Sequence, residues 1–539
     1  MTHPFDNDFN EDGSAGIASE AEIEAAGMFD YAPDAIYAGT AYGRRLWLKL
    51  SGGLLMVAGA RSGKLVGMLG YNICHGILST ESLLIVDVKG ELAAISRDQT
   101  PDCKHCIYWN PRALFDLPSD KINPTGHLRW SSPDLIADIK SLMEALLPES
   151  GSGNAKFFEF SARFVGEALA RSIAELDGEV TLPRLYDAIM ALQAGGPEWE
   201  PYSDDMKASS ADDVRRMAVQ IEVAQADSSG GWRGIVGELA QCLSCLSDPM
   251  LRASVTGPFD FDLADFARGT RRHQLYLICQ EWLVEPWAPV VKALMNAARV
   301  LKARAPEAPR QTWIIDEAAR FKGYSEIADL FTVGAGLGIR PIAVFQDISQ
   351  MNDLGPNAQR KIMSSAEAQL YFGVRDLESA KHVSEMLGVE TLRYDDPVAQ
   401  GRAKAELLKL VRSLFDGRPL SEIFVDLNRT RFEANHRIKQ RRYVQTADEI
   451  LNMARADGVL FTDGLNGAVN VQLLRYILQV WMAGRFHPNP YHGRLDEVTV
   501  QTEHGPERRP VIAQDVPERY ADYPQYRDGK MTVIGEDPL

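Results

Sequence analysis

Residues 58–67 read Ala-Gly-Ala-Arg-Ser-Gly-Lys-Leu-Val-Gly. The apolar run Leu54–Val57 leads in as a strand, and Val66 to Ile77 leads out as a helix. Strand, glycine turn and helix in this order make a phosphate-binding loop, which commits the chain to an α/β fold. A full loop has Gly, four residues, Gly, Lys and then Ser or Thr. Ala58 stands at the first Gly and Leu65 at the hydroxyl position. The core Gly59-Ala60-Arg61-Ser62-Gly63-Lys64 keeps the nest of backbone N–H groups and the cation that reaches β- and γ-phosphates. Gly59 through Leu65 is therefore expected to bind nucleotide, with Lys64 as the catalytic cation; the missing hydroxyl leaves hydrolysis open.

The rest of the chain supports a sheet around that loop. Leu83–Val88, Cys106–Trp109, His273–Cys279, Thr312–Ile315, Pro341–Phe345 and Ala368–Val374 are near-continuous apolar runs. Such runs fit parallel strands covered on both faces, and their alternation with helical segments implies a doubly wound domain. Between residues 125 and 255 strand-like runs vanish. Helical periodicity takes over at Leu135–Leu147, Phe157–Leu176, Leu182–Leu192, Val214–Ala226 and Ile235–Leu246, with Gly195–Ser210 reading as a loop. This block is expected to be an all-helical insertion. The expected division is an arm over 1–45, a nucleotide-binding domain from 46–124 and 256–487, the helical domain 125–255, and a tail 488–539. The first 40 residues or so, rich in Gly, Ala, Asp and Glu, read as loosely packed. The region 400–445 reads as helical and basic, and Val459–Phe461 as a late strand. The tail from Pro488, rich in Pro, Tyr and charge, is expected to wrap the surface.

A net charge of −17 over 539 residues excludes a uniformly basic coat for nucleic acid. Six cysteines do not make a disulfide framework in a chain of this length. Cys103/Cys106 and Cys242/Cys245 could split a zinc site, but Cys106 opens the apolar run Cys106–Trp109 and Cys242 and Cys245 fall in Leu239–Leu246, so the cysteines read as small core residues in a reducing compartment. No apolar run reaches the roughly 18–20 residues that span a bilayer, and Met1 to Glu24 has no signal-peptide core. A cytoplasmic protein without an integral membrane segment is expected.

Trp313-Ile314-Ile315-Asp316-Glu317 is an apolar strand ending in two carboxylates, the Walker B arrangement. Asp316 is the expected Mg²⁺ holder and Glu317 the group that polarises an attacking water. Gln346 directly follows the strand Pro341–Phe345 and is placed to sense a γ-phosphate through that water. Leu83 to Glu91 reads as a buried strand and a charged turn, to which spacing alone assigns no role.

In this order the motifs resemble the type IV coupling proteins, the TraG-like ATPases of conjugation and type IV secretion. The matching segments begin with Gly13-Ser14-Ala15, Glu20–Ile23 and Ala26-Gly27, then Ala60–Lys64 at the loop. Asp87-Val88-Lys89-Gly90-Glu91 is similar to the family's D-x-K-G-E signature, the most specific match, and Asn110-Pro111 follows the next strand. Ile315–Glu317, Ala343–Gln350, Phe372–Ala380 with Leu387-Gly388, and Thr446–Ile450 complete the series. The resemblance implies a RecA-like P-loop motor domain with an inserted all-helical domain. It also implies ATP and Mg²⁺ as ligands and a ring, usually hexameric, with nucleotide at subunit interfaces. The partners it implies are relaxase-bound single-stranded DNA or protein effectors, and the components of a type IV channel. For a ring ATPase it implies an arginine finger, with Arg375 and Arg340 as candidates.

Three departures stand against the pattern. The family's transmembrane hairpin has no counterpart: Met1 sits almost where the cytoplasmic part begins. This implies a soluble member, or a start that omits the anchor, and peripheral placement at the inner membrane. Leu65 adds bulk where the family has a small residue. Pro397–Arg442 is longer than expected and forms a local basic strip: Arg402, Lys404, Lys409, Arg412, Arg418, Arg429, Arg431, Arg437, Lys439, Arg441 and Arg442 outnumber its acids. That strip could track a phosphate backbone or face solvent or a neighbouring subunit. Two further readings compete with the motor: a non-hydrolysing adaptor that recruits secretion substrates, and a related DNA translocase outside secretion.

Overall fold

The computed structural model describes residues 15–74, 80–97, 104–148, 153–226, 231–269, 271–395, 401–402, 405–406, 437–482, 486–491, 497–502, 505–518 and 530–535. Its strands are β1 (Ile36–Ala41), β2 (Arg44–Leu48), β3 (Leu54–Ala58), β4 (Ser82–Asp87), β5 (Lys104–Trp109), β6 (Arg272–Ile278), β7 (Gln311–Ile315) and β8 (Ile339–Phe345). They continue with β9 (Ala368–Phe372), β10 (Val389–Asp395), β11 (Arg437–Tyr443), β12 (Asp457–Thr462), β13 (Val469–Gln472), β14 (Glu497–Thr502), β15 (Gly505–Asp515) and β16 (Lys530–Ile534).

An 11-stranded sheet runs in the order β2-β1-β13-β12-β9-β3-β8-β7-β4-β6-β5. From β9 to β5 every neighbour is parallel. Residues of β3, β4, β7 and β8 are buried throughout, as their unbroken apolar runs require when both faces of a parallel sheet are covered. One core face carries Leu55, Val57, Leu84 and Trp313, the other Leu54, Met56, Leu83 and Ile314. This alternation is the period-2 consequence of strand geometry. Outside the parallel part, β12, β13, β1 and β2 add on antiparallel.

Between β5 and β6 the regular elements of the described residues are helices, from Leu135–Leu146 to Leu263–Arg268. The helix Leu182–Ala194 starts at Thr181, whose side chain accepts from the Arg184 N–H, with Pro183 in its first turn. Its core merges with one face of the sheet, and Asn296 on the helix Val284–Ala303 donates to Ser141 Oγ at 2.8 Å. The fold is therefore a RecA-like P-loop domain with an inserted helical domain.

Four local expectations are corrected. Gly195–Ser210 is not a loop: Gly196–Ala208 is a helix. Trp199, Ser203 and Met206 line its buried face, but a single apolar stripe among Glu, Asp and Pro gave weak periodicity. Of the stretch read as loosely packed, residues 1–14 lie outside the described residues, and Ile36–Ala41 is not loose: β1 lies inside the sheet with all six residues buried. Asn72 binds it through Tyr37 N–H to Oδ1 at 2.8 Å and its own Nδ2 to Tyr37 O at 3.0 Å. The basic stretch is not helical at its end: Arg437–Tyr443 is strand β11, paired antiparallel with β10. Lys404, Lys409, Arg412, Arg418, Arg429 and Arg431 lie outside the described residues. Of the helix expected after the loop, Leu65–Leu69 is a π-helical turn and Gly70–Cys74 is α-helical. In the tail, β14, β15 and β16 form a separate antiparallel sheet. Among the described residues no helix is long and apolar enough to cross a membrane.

Candidate functional site

Strands β3, β8, β7 and β4 are consecutive neighbours. Their C-terminal ends therefore bring together the loop after β3, Gln346 after β8, Asp316 and Glu317 after β7, and Asp87 at the end of β4. This is the edge where open α/β sheets bind ligands.

The loop is shaped by backbone that leaves the usual regions. Arg61 and Gly63 have φ of 57° and 89°. The Gly67 N–H then donates to Gly63 O at 2.7 Å, which starts the helical turn. Ala58, at the position of the first loop glycine, is the buried last residue of β3. Gly59 admits no side chain, since a Cβ there would sit 2.1 Å from Gly373 O, just beyond β9.

Lys64 Nζ is 2.6 Å from Asp316 Oδ1 and 3.4 Å from Glu317 Oε1. Burial works against the ammonium, the two carboxylates outweigh it, and its pKa is raised. Glu317 holds φ at 53°; a non-glycine residue in that region costs of order 1–3 kcal/mol, a strain that clusters at functional sites. Ser62 Oγ and Glu317 Oε2 are buried without a hydrogen-bond partner, although Arg320 Nε lies 3.5 Å from the latter. Asp87 is buried, and burial pushes its carboxyl up to about 7, with Asp316 and Glu91 adding to the rise. The N–H groups of Ala93 (2.8 Å) and Lys89 (3.4 Å) oppose it.

A cavity of about 850 Å³ opens on this edge. The loop from Ala58 to Val66, Glu317 and Gln346 line part of it, with Lys89, Glu91 and Glu281. Residues 475–477 and 486–489 line the rest. Its volume is within the range of small-molecule sites. Asp316 reaches the cavity through Lys64. The Gln346 N–H donates to Gln350 Oε1 at 2.9 Å, while its residue lines the cavity with Glu317. The donor set fits a nucleotide with a divalent cation: an N–H nest, the Lys64 ammonium, the carboxylates of Asp316 and Glu317, and the unpartnered Ser62 hydroxyl.

Arg340 is corrected as an arginine finger. It is fully buried near the start of β8, toward the opposite edge of the sheet, with Nη2 3.0 Å from Glu81 Oε2. Its other donors go to Thr312 Oγ1, Asp34 O and Leu50 O. A group that must reach a neighbouring subunit cannot be spent this way. Arg375 is exposed and donates to the carbonyls of Val374, Leu451 and Met453. Cys242 and Cys245 sit on or beside the helix Gly231–Leu243, and burial pushes both thiols up.

A family model described as type IV secretory system conjugative DNA transfer matches residues 8–406. The chain belongs to that family. Two curated members from Escherichia coli, both named conjugal transfer protein TraG, are similar to it. One is 23% identical over 405 residues, 68% of this chain and 60% of that protein. The other is 24% identical over 457 residues, 76% of this chain and 69% of that protein. Among solved structures, the unbound conjugative coupling protein TrwBdeltaN70 superposes with a TM-score of 0.61 at 16% identity, covering 85% of this chain and 92% of that one. The plasmid coupling protein TrwB in complex with ADP and Mg²⁺ gives 0.58 at 16% identity, covering 86% and 94%. At this identity the likeness concerns the fold.

Sequence reasoning did not anticipate Arg475, Tyr476, Phe486 or Asn489 at this cavity, and it left Lys89 and Glu91 without a role. The last two carried a signal, a charged turn ending a buried strand on the ligand edge. Arg475, Tyr476, Phe486 and Asn489 carried none, because no local pattern around them marks a ligand site.

Proposed function

We propose that the chain is the ATP-hydrolysing motor of a type IV coupling system, which passes relaxase-bound single-stranded DNA or protein effectors to a secretion channel. The observation that carries this reading is Lys64 Nζ held 2.6 Å from Asp316 beside a cavity that both the loop and Glu317 line. Lys64 and Glu317 line the space that the phosphates of a nucleotide would enter. Lys64 and the N–H groups from Gly59 to Leu65 bind and orient the phosphates. Glu317 takes a proton from the attacking water, and Gln346 positions that water. Asp316 would hold Mg²⁺, which supplies charge neutralisation on the β- and γ-phosphates. The complexes of TrwB with ADP and Mg²⁺, and with a non-hydrolysable ATP analogue, support this ligand pair.

The reading extends to the assembly. A hexameric ring would place the nucleotide between subunits, and of the two candidate arginines only Arg375 is exposed enough to act across that boundary. The motor would comprise residues 46–124 and 256–487 together with β1 and the start of β2, which belong to the same sheet, with 125–255 as the helical domain. Its place would be the cytoplasm, with peripheral contact at the inner membrane. Leu65 packs against the apolar cluster that contains Met68 and Leu69, an anchorage that leaves the loop N–H groups to the phosphates.

The test is steady-state ATP hydrolysis with Mg²⁺, with and without single-stranded DNA, on wild type and Lys64→Ala. DNA-stimulated turnover that Lys64→Ala abolishes is expected. No turnover in wild type would overturn the motor. Leu65 favours the second reading, a non-hydrolysing adaptor, which instead requires binding of a substrate protein that survives Lys64→Ala.

A further inference from the structure

The helix that leaves the loop is overlaid by a distant part of the chain. A Cβ at Gly67 would lie 3.0 Å from Leu473 Cβ, and one at Gly70 would lie 2.7 Å from the Tyr476 ring. The two glycines stand three apart on one helical face, so their lack of side chains lets residues 473–476 lie directly on it. Tyr476 is buried and packs edge-on against Phe486, with ring centroids 4.8 Å apart.

From Phe486 the chain runs over the turn that follows β4. His487 N–H donates to Ile95 O at 2.7 Å, Asn489 Nδ2 to Glu91 Oε2 at 3.1 Å, and Tyr491 OH to Lys89 O at 3.1 Å. These bonds fix Phe486–Asn489 against the same turn that lines the cavity. The cavity wall therefore has two chemical characters. The loop, Lys89, Glu317 and Gln346 are polar and suited to phosphates. The remainder joins Tyr476, Ile477, Phe486 and Pro488 to three polar groups, Arg475, His487 and Asn489. Apolar and aromatic surface with a few fixed hydrogen-bonding groups is what a planar heterocycle and a sugar require.

We infer that Arg475–Ile477 and Phe486–Asn489 form the base- and ribose-binding wall of the nucleotide site, contributed by chain beyond the residues matched by the family model. The inference rests on the nucleotide reading proposed above. It names the part of the ligand that distinguishes a nucleoside triphosphate from bare triphosphate. The wall also ties nucleotide occupancy to the Asp87–Glu91 turn, because Asn489 touches Glu91 and faces the same cavity.

The experiment titrates the full chain calorimetrically, in Mg²⁺, with a non-hydrolysable ATP analogue and with inorganic tripolyphosphate. Both carry three phosphates, so their affinity ratio isolates base and ribose. Wild type is expected to prefer the analogue by about tenfold or more, and Arg475→Ala/Ile477→Ala and Asn489→Ala are expected to bring that ratio down toward one. Lys64→Ala is expected to weaken both ligands together. Equal binding of the two ligands by wild type, or variants that keep the full preference while remaining folded by circular dichroism, would overturn the wall. Failure of wild type to bind either ligand overturns the nucleotide reading itself, and this inference with it.

Discussion

At the C-terminal edge of the sheet Lys64 lies 2.6 Å from Asp316 and 3.4 Å from Glu317. Toward the opposite edge Arg340 lies 3.0 Å from Glu81, which also pairs with Arg310 at 2.6 Å. Both clusters are largely buried and both set cations against carboxylates, yet their electrostatics diverge. Burial lowers the Arg340 pKa more than Glu81 restores it, with Arg310 adding repulsion. At Lys64 two carboxylates more than offset burial. Arg340 spends its guanidinium on a hydroxyl, two carbonyls and Glu81, and fastens the segment around Asp34 and Leu50 to the sheet. Lys64 borders a ligand-sized cavity. A buried ion cluster thus reads as structure when its donors are consumed by fixed acceptors, and as a site when open space adjoins it.

This contrast can be broken experimentally. The largest effect is expected from Lys64→Ala, which should lower ATP turnover by on the order of 10³-fold or more in a phosphate-release assay while lowering the melting temperature less than Arg340→Ala does. Glu317→Gln should lower turnover by roughly 10²–10⁴-fold and keep nucleotide binding, since it removes a proton acceptor and not a phosphate contact; a parallel binding titration checks this. Arg340→Ala should do the reverse, destabilising the fold by about 3–5 kcal/mol because a buried partner is left behind. Its folded fraction should keep its turnover. Lost turnover at unchanged stability would return Arg340 to the role of a finger.

A pH series sharpens the same comparison. Asp87 has its carboxyl raised from 3.8 to about 7 in the folded state. Between those values the folded state holds the proton more tightly than the unfolded chain, so this group's contribution makes stability fall as pH rises from about 4 to about 7 and level off above. Asp87→Asn should flatten that slope in chemical denaturation curves, and an unchanged slope would count against the buried carboxyl as its source. The smallest effect is expected from Arg310→Ala. Its side chain is 27% exposed, against 0% for Arg340, so it should cost about 1 kcal/mol in the same denaturation assay, where water can replace part of what is lost.

Much of this site could be read before folding. The loop, the strand ending in Asp316-Glu317, Gln346 and the Asp87–Glu91 turn are contiguous patterns, and each strand's apolar run reports its own burial. The strands expected at Leu83–Val88, Thr312–Ile315 and Pro341–Phe345 occur at Ser82–Asp87, Gln311–Ile315 and Ile339–Phe345. Elements whose burial depends on distant partners were misread. β1 looked like part of a polar arm because its stability comes from pairing with β13 and from Asn72, not from its own neighbours. The helix Gly196–Ala208 was hidden by a first turn of Gly, Pro and Glu. Arg340 looked available because a strand-end arginine does not announce which end of the sheet it occupies.

By itself the sequence determined the chemistry at each strand terminus, since turn residues and apolar runs are local and act over a few bonds. Only the tertiary structure decided which termini meet. The order β3-β8-β7-β4 sets Lys64 against Asp316 and Glu317, although 252 positions separate Lys64 from Asp316 in the chain (316 − 64). The cavity wall at Arg475–Ile477 and Phe486–Asn489 was likewise a tertiary decision. Gly67 and Gly70 allow the close approach, but the partner that uses it is chosen by packing across the whole domain, and packing has no local signature.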